Sequence, residues 1–259
     1  MRTVRATRYV TPLREGGSLP AIVEADDLGL YVVKFRAAGH GTKALLAEQL
    51  TGELARAAGL RVPEIVHVEV DAALGRNEPD PEIRDLLNAS VGLNLGLDYL
   101  PGSITFDPVA GPAPPAEEAS AIVWFDAFTS NVDRTPRNPN LLCWHRRLWL
   151  IDHGASLYFH HDWNHADARS RSPFENVRDH VLLPWATMLA AAGERLTAQL
   201  DAAIVATTLA AIPDEWLADE PRFATPAEHR AAYARYLERR LAAAPLFLEE
   251  AERARAAVV

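Results

Sequence analysis

Three oxygen-bearing side chains in one short stretch have the types and the spacing that phosphoryl transfer requires. Asp133 is followed five positions later by Asn138, and Asp152 opens an Asp-His-Gly tripeptide directly after the apolar run 148–151. Such chemistry needs an aspartate that accepts or orients the acceptor proton, and oxygen ligands that hold Mg²⁺. Asp133 is therefore the candidate catalytic residue, and Asn138 and Asp152 are the candidate metal ligands. A surface loop also uses Asp, Asn and Pro to make turns, but the ordered set of three favours the catalytic interpretation.

A predicted β-hairpin brings these residues together. The runs 141–144 and 148–151 are apolar and rich in aromatic residues, and they flank His145-Arg146-Arg147. This pattern is typical of a buried hairpin, which would return the chain so that Asp152 faces Asn138. Cys143, the only cysteine, lies inside the hairpin and is interpreted as a small core residue rather than a nucleophile.

With these motifs the chain resembles the HipA-like kinases and, more distantly, the phosphatidylinositol 3- and 4-kinases. The resemblance rests on Asp-x-x-x-x-Asn and Asp-x-Gly, and it extends upstream to the segments 30–36 and 47–55. It implies an α+β, two-lobed protein-kinase-like fold with a β-rich N-lobe and a mainly helical C-lobe, and ATP and Mg²⁺ as cofactors. It also implies that Lys34 contacts the phosphates and that Glu48 is its partner, although Glu53 on the same helix remains an alternative.

The chain departs from the longer HipA toxins in two ways. From its 259 residues we expect no extra N-terminal subdomain of the kind those proteins carry, and Asp-His-Gly is more similar to the lipid-kinase version of the motif. A toxin role is therefore not implied.

Length and composition agree with one catalytic unit of two lobes, which the resemblance and the expected hinge divide into residues 1–101 and 102–259. Hydrophobic residues make up 49% and charged residues 24%, as in ordinary soluble domains. The net charge of -9 argues against nucleic acid and anionic membranes as partners. Because there is neither an apolar run of about 20 residues nor a secretory signal, and because a single cysteine fits a reducing compartment, we expect a cytoplasmic protein.

The first half of the N-lobe supplies the candidate nucleotide-binding residues. The segments 21–26 and 29–35 predict two antiparallel strands, and the preceding Gly16-Gly17-Ser18 could cover the phosphates with backbone N–H groups, although an ordinary turn has the same sequence. Lys34 lies in an apolar run and needs solvent or an anionic partner. The glycines near Lys43 lack the spacing of a P-loop.

The rest of the N-lobe is predicted from local pattern. A helix is expected over 42–58, a strand over 65–70 and a solvated insertion over 76–87. The segment 98–102 is the expected hinge between the lobes. Asp98, Tyr99 and Leu100 are its candidate adenine-binding residues, through their backbone groups.

The C-lobe is predicted to be helical over 116–129, 174–192, 194–211 and 226–256. Histidines cluster between the metal-binding strand and this helical region, and such a cluster can bind zinc, but it lacks a regular four-ligand pattern. We therefore interpret this region as a substrate-facing activation segment whose serines are candidate autophosphorylation sites. The histidines are His153, His160, His161 and His165, and the serines are Ser156, Ser170 and Ser172.

Together these features predict an ATP- and Mg²⁺-dependent phosphotransferase. By resemblance the first choice of acceptor is a protein Ser/Thr hydroxyl, followed by a small-molecule alcohol. A nucleotide-binding pseudokinase scaffold and an AMP transferase remain open alternatives. The oligomeric state cannot be predicted.

Overall fold

A computed structural model describes residues 1–13, 19–76 and 78–258. The predicted phosphate-covering residues Gly16, Gly17 and Ser18 lie outside the described residues. The chain divides into two compact units: unit one contains residues 1–49 and 63–101, and unit two contains 50–62 and 102–259. One boundary therefore falls inside the helix Thr42–Ala57.

Unit one is built on a closed five-stranded barrel with the strand order β1-β2-β3-β5-β4. Pairing is antiparallel except between β1 and β4, which run parallel with Thr3 opposite His67. The predicted strands near 21–26, 29–35 and 65–70 are confirmed, whereas β1 was not predicted. The strands are β1 (Thr3–Pro12), β2 (Ala21–Ala25), β3 (Leu30–Lys34), β4 (Ile65–Val70) and β5 (Gly92–Asp98).

Inward-facing side chains, which alternate with outward-facing ones along the strands, fill the interior of the barrel. In β2, Ala21, Val23 and Ala25 are buried while the residues between them are partly exposed, which is the period expected of a strand with one inner face. Gly96 on β5 allows close packing, because a Cβ atom there would lie 2.6 Å from Cγ2 of Val68.

Among the described residues, unit one also contains the first half of one helix and the whole of another. Helix α1 (Thr42–Ala57) confirms the prediction over 42–58. Helix α2 (Pro81–Ala89) shows that the predicted solvated insertion over 76–87 was wrong in its second half: Ile83 and Leu87 join the hydrophobic core of the barrel. The Asp80 side chain accepts from the N–H of Glu82 and caps α2, so the helix-start signal, Asp before Pro, was present in the sequence.

Unit two is organised around helix α3 (Ala116–Thr129), which was predicted at these bounds. Every residue from Ala119 to Thr129 is buried, as expected of a helix that is apolar on all sides. Trp124 contacts Phe247 edge-on at 5.3 Å between ring centroids. A Cβ on Gly193 would lie 2.9 Å from Nε1 of the same tryptophan, so the missing side chain lets the backbone approach.

A three-stranded sheet in unit two contains the predicted hairpin. Its order is β6-β7-β8, with Leu142 opposite Trp149. The turn residues His145 and Arg146 both have positive φ, which is typical of a two-residue hairpin turn that matches the strand twist. The strands are β6 (Ile104–Thr105), β7 (Leu141–Trp144) and β8 (Arg147–Leu150).

The C-terminal half of unit two is helical, but three predicted helices were wrong in extent. The helix predicted over 194–211 is interrupted at Leu200 and Asp201, because the Asp201 side chain accepts from the N–H of Ile204 and caps a new helix. The segment 174–192 forms the short 3₁₀ turns Glu175–Asp179 and Leu183–Trp185 before α5 begins. The helix predicted over 226–256 is interrupted at Ala243, because Pro245 lacks an N–H and cannot continue the helix Pro226–Ala242. The helices are α4 (Ala166–Ser170), α5 (Leu189–Gln199), α6 (Ala202–Ala210), α7 (Asp214–Leu217), α8 (Pro226–Ala242) and α9 (Ala244–Val258).

In the part of the chain that the structure describes, no helix combines the length and apolar character needed to cross a bilayer.

Candidate active site

The loop 131–140, which contains Asp133, is held by a buried carboxylate on α3. Asp126 and Arg134 both have fully buried side chains, and Arg134 Nε lies 2.5 Å from Asp126 Oδ2. The Asn131 amide donates to Asp126 Oδ1 at 3.1 Å, and His180 Nε2 lies 2.9 Å from Oδ2. Asn131 and Arg134 therefore hold the start of the loop at Asp126, and His180 contacts the same carboxylate.

The electrostatics of this group keep Asp126 ionised. Burial alone would raise the pKa of Asp126, but the positive charge of Arg134 and the hydrogen bond from His180 outweigh it and hold that pKa well below its usual range. Burial lowers the pKa of His180 despite the nearby carboxylate. The loop is therefore anchored by one ion pair and a neutral imidazole that donates to the carboxylate.

Asp133 itself is partly exposed, and only one of its carboxylate oxygens is held. Oδ2 accepts from the side-chain amides of Asn138 at 2.7 Å and Asn140 at 3.1 Å. Its backbone N–H donates to Asn131 Oδ1 at 3.1 Å. Among the described residues, no group donates to Oδ1 of Asp133. The carboxylate is thus oriented, with one oxygen available to an acceptor hydroxyl.

Asn140 is a member of the group that sequence reasoning missed. It is buried, it has φ +49°, and its amide also donates to the backbone oxygen of Asp133 at 3.2 Å. Asn138 is exposed. The amide oxygens of both asparagines accept no hydrogen bond from any residue described. The signal in the sequence was the position of Asn140 immediately before the apolar strand β7.

The backbone places Asp152 next to the end of the loop. The N–H of Ile151 donates to the backbone oxygen of Asn140 at 3.1 Å, and Arg134 Nη1 donates to that oxygen and to the backbone oxygen of Ile151. Asp152 follows with φ +55°, a left-handed conformation that costs most residues about 1–2 kcal/mol and that Asp tolerates better than most. One buried guanidinium therefore joins the loop to the strand that ends at Asp152.

Lys34 and Glu48 form an ion pair inside unit one. Lys34 Nζ lies 2.6 Å from Glu48 Oε2, and the exposed fractions of the two side chains are 13% and 0%. Lys34 is the last residue of β3, and Glu48 lies on α1. Glu53, the alternative partner, lies on the same helix with Oε1 at 3.5 Å from Arg56 Nε. A buried carboxylate fixes the position of the ammonium, as a buried charge requires a partner.

The expected hinge begins where β5 ends. The N–H groups of Asp98 and Tyr99 donate within unit one, to the backbone oxygens of Glu64 at 2.8 Å and Leu30 at 2.9 Å. Burial and the nearby Glu64 raise the pKa of Asp98. Leu100 is buried. The two N–H groups are thus committed to the barrel, so an adenine contact through Asp98 or Tyr99 would have to use another backbone group.

The histidines after Asp152 are divided between the interior and the surface. His160 is buried and lies 2.9 Å from the Tyr233 hydroxyl through Nδ1, whereas His165 is exposed and lies 2.6 Å from Asp162. No cluster of three or more His, Cys, Asp or Glu side chains suited to a metal ion occurs among residues 1–13, 19–76 and 78–258. The segment is fixed chiefly by aromatic packing, with the Phe159 ring stacked on Tyr236.

Arg240 on α8 connects this segment to α3. Its buried guanidinium donates to the backbone oxygens of Ala127 at 2.7 Å and Phe128 at 3.2 Å, near the carboxyl end of α3, and also to that of Ser172. Burial lowers the pKa of Arg240 to about 10, so it remains a cation at neutral pH. A cation at a helix carboxyl end is favourable, and this one fixes the helix that leads into the loop 131–140.

Comparison with solved structures defines the fold as kinase-like. The proinflammatory kinase CtkA of Helicobacter pylori superposes with a TM-score of 0.56 at 12% identity, covering 95% of this chain and 99% of its own. The Golgi casein kinase with Mn/ADP bound is also similar, with a TM-score of 0.49, 12% identity, and coverage of 96% of this chain and 73% of its own. No curated protein matches the chain.

The family is shown by sequence. A model of the HipA-like kinases matches residues 7–245, and the chain belongs to that family. Both the predicted family and the predicted α+β, two-lobed fold are therefore confirmed, and the chemistry is that of a kinase-type phosphotransferase.

Proposed function

We propose that this protein transfers the γ-phosphate of ATP, as its Mg²⁺ complex, to a hydroxyl group, with a protein Ser or Thr as the acceptor. The observation that carries the proposal is the carboxylate of Asp133, which has one oxygen held by two amides and the other open. An acceptor hydroxyl needs such a group to orient it and take its proton.

The donor atoms near Asp133 fit Mg²⁺. This ion prefers hard oxygen ligands such as carboxylates, and the Asp152 carboxylate and the amide oxygens of Asn138 and Asn140 are of this kind. Bound Mg²⁺ would neutralise phosphate charge during transfer. Asp152 and one of the two asparagines would hold it. Sequence spacing selects Asn138 for this role, while burial and position beside β7 favour Asn140.

Lys34 is the proposed phosphate ligand of unit one. Glu48 holds its ammonium in a fixed position, so little side-chain entropy is lost when an anion binds. The roles proposed for Gly16, Gly17 and Ser18 in covering the phosphates, and for residues 98–100 in binding adenine, remain predictions.

Replacement of Asp133 tests the proposal. We expect Asp133→Asn to lower phosphoryl transfer at least about 100-fold while nucleotide affinity stays nearly unchanged, because Asp133 is not among the proposed nucleotide or metal ligands. Transfer would be followed with γ-labelled ATP on a library of Ser, Thr and Tyr peptides and on a panel of small alcohols, and affinity by calorimetry.

Asp179→Asn is the matched control, because Asp179 is an exposed aspartate of the same unit. Normal transfer in Asp133→Asn would remove Asp133 from its role. Product mass separates a phosphoryl from an adenylyl adduct, and an adenylyl adduct would replace phosphoryl transfer by AMP transfer. Binding of Mg-ATP without any product would favour a scaffold.

A further inference from the structure

Unit two contains a cleft in which positive charge is concentrated. The cleft has a volume of about 190 Å³ and lies between α8 and the residues from Trp163 to Ser170. Three arginines line it: Arg222, Arg235 and Arg239. The aromatic rings of Trp163, Phe223 and Tyr236 form part of its wall.

The charges of these arginines are only partly compensated. Arg239 pairs with Asp167, with Nη1 at 2.5 Å from Oδ1, and Asp167 is the only acidic residue of the lining. Arg222 donates to the amide oxygen of Asn164 at 2.6 Å, which orients the guanidinium without neutralising it. Arg235 is exposed and has no hydrogen-bond or ion-pair partner in the described part of the chain. The residues that line the cleft carry three positive charges and one negative charge, a net +2, in a chain of net charge -9. The carboxylate of Glu220 lies near the backbone of Arg222, whose N–H donates to it at 3.4 Å.

This arrangement fits one class of anion. A phosphate monoester carries about -1.5 to -2 charge at neutral pH and offers three acceptor oxygens, and the planar forks of arginine match such oxygens in pairs. The small volume accommodates a single phosphate group. A polyanion such as nucleic acid would instead meet the repulsion of the surrounding acidic protein.

We propose that the cleft between α8 and residues 163–170 binds a phosphorylated serine or threonine of a peptide. Arg235 and Arg222 hold the phosphate, Arg239 adds positive charge beside Asp167, and the aromatic wall packs against the flanking peptide. Because one side of the cleft belongs to the segment after Asp152, the bound peptide would be a partner or acceptor already phosphorylated at another residue. This last link rests on the proposed function; the binding site does not.

Fluorescence anisotropy of a labelled phosphoserine peptide with the full chain tests the proposal, in the absence of ATP. We expect saturable binding that weakens as salt is raised and that is at least about tenfold weaker in the Arg222→Gln, Arg235→Gln double variant, because hydrogen bonds to charged groups are lost. Arg195→Gln is the matched control, since Arg195 is a partly exposed arginine of unit two that lies outside the cleft lining and whose side chain, among the described residues, hydrogen-bonds to Gln199 alone. An unchanged thermal unfolding midpoint shows that the double variant is folded.

Binding of other ligands tests whether the cleft is specific for a phosphorylated peptide. Equal binding of the unphosphorylated peptide or of its glutamate analogue would overturn it, as would unchanged affinity in the double variant. Tighter binding of inorganic phosphate or of a single-stranded oligonucleotide would assign the cleft to another ligand and overturn it as well. Peptide binding is measured without ATP, so it is independent of phosphoryl transfer. A protein that binds the peptide but transfers no phosphate would contradict only the proposed function. A protein that transfers phosphate but does not bind the peptide would contradict only the proposed binding site.

Discussion

Asn138 and Asn140 both donate to the same oxygen of Asp133, but the protein holds them to different degrees. Asn138 is exposed, while Asn140 is 7% exposed and adopts the left-handed region. The amide of Asn140 also binds the backbone of Asp133. Substitution of each residue in turn can therefore separate an effect on metal binding from an effect on the conformation of the loop.

We expect Asn140→Ala to lower both phosphoryl transfer and stability, and Asn138→Ala to lower transfer alone. The loss of stability is expected to be about 1–3 kcal/mol, because alanine is strained at a positive φ and the part-buried backbone oxygen of Asp133 loses a donor. Urea unfolding and labelled-ATP transfer measure the two effects. Equal stability of the two variants would show that Asn140 does not support the loop.

At the residue scale, the sequence predicts candidate site residues where their types and spacing form a short motif. Asp133, Asn138 and Asp152 belong to short motifs, and Lys34 stands out as a charge in an apolar run. His180 could not be predicted as a partner of Asp126, because the two are 54 positions apart and only the folded chain brings them together. Asn140 was overlooked because the spacing rule selects Asn138.

At the element scale, α3 supports the candidate site through its last turn. Asp126 anchors the loop by Arg134, and Arg240 holds the backbone oxygens at the same helix end. Side chains are buried on all sides of α3, so the helix cannot turn about its own axis without disrupting this packing. The geometry around Asp133 is thus fixed by a helix that contributes no proposed ligand.

Replacement of Asp126 by Asn tests this support. We expect Asp126→Asn to lower the free energy of unfolding by about 3–5 kcal/mol, since Arg134 would remain buried without a counter-charge. Transfer should fall as well. The matched control is again Asp179→Asn, and urea unfolding followed by circular dichroism is the measurement.

A double variant, Asp126→Leu with Arg134→Leu, removes both charges. Part of the stability should return, because the buried unpaired cation is gone, whereas transfer should stay low, because Arg134 also binds the backbone of Asn140 and Ile151. Recovery of transfer would show that the ion pair contributes only to stability.

Elements with a strong local pattern were predicted close to their observed bounds. Helix α3 and the strands of the hairpin β7-β8 are rich in apolar residues, a pattern that the local sequence shows. Strand β1 was not predicted, since its exposed residues alternate with few apolar ones and its position depends on pairing with β2 and β4. The turns over 174–188 read as helix because leucine and alanine favour helices locally, while Pro184 permits only a short turn.

At the scale of the whole molecule, buried histidines make stability depend on pH. Burial lowers the pKa of His67 to about 4, below the unfolded value of about 6.5, and the pKa of His180 is lowered as well. Between pH 6.5 and 4 the unfolded chain therefore binds more protons at these sites than the folded chain, so stability falls as pH falls.

We expect His67→Gln to reduce this slope, while retaining an amide that can contact Gln49, the partner of His67 at 2.9 Å. One proton contributes at most about 1.4 kcal/mol per pH unit. The free energy of unfolding in urea, measured from about pH 7 to about pH 4, tests this. An identical slope in wild type and variant would contradict the assignment, and His165→Gln, at an exposed histidine, is the control.

Barrel closure in unit one also has a consequence during synthesis on the ribosome. Strands β1, β2 and β3 emerge first and can pair with one another, but β1 must wait for β4 and β3 for β5. Until residue 98 has emerged, the nascent sheet has two open edges, which are templates for unwanted pairing with other chains. A fragment that stops after β3 should therefore aggregate, whereas a fragment that extends through β5 can close its own sheet.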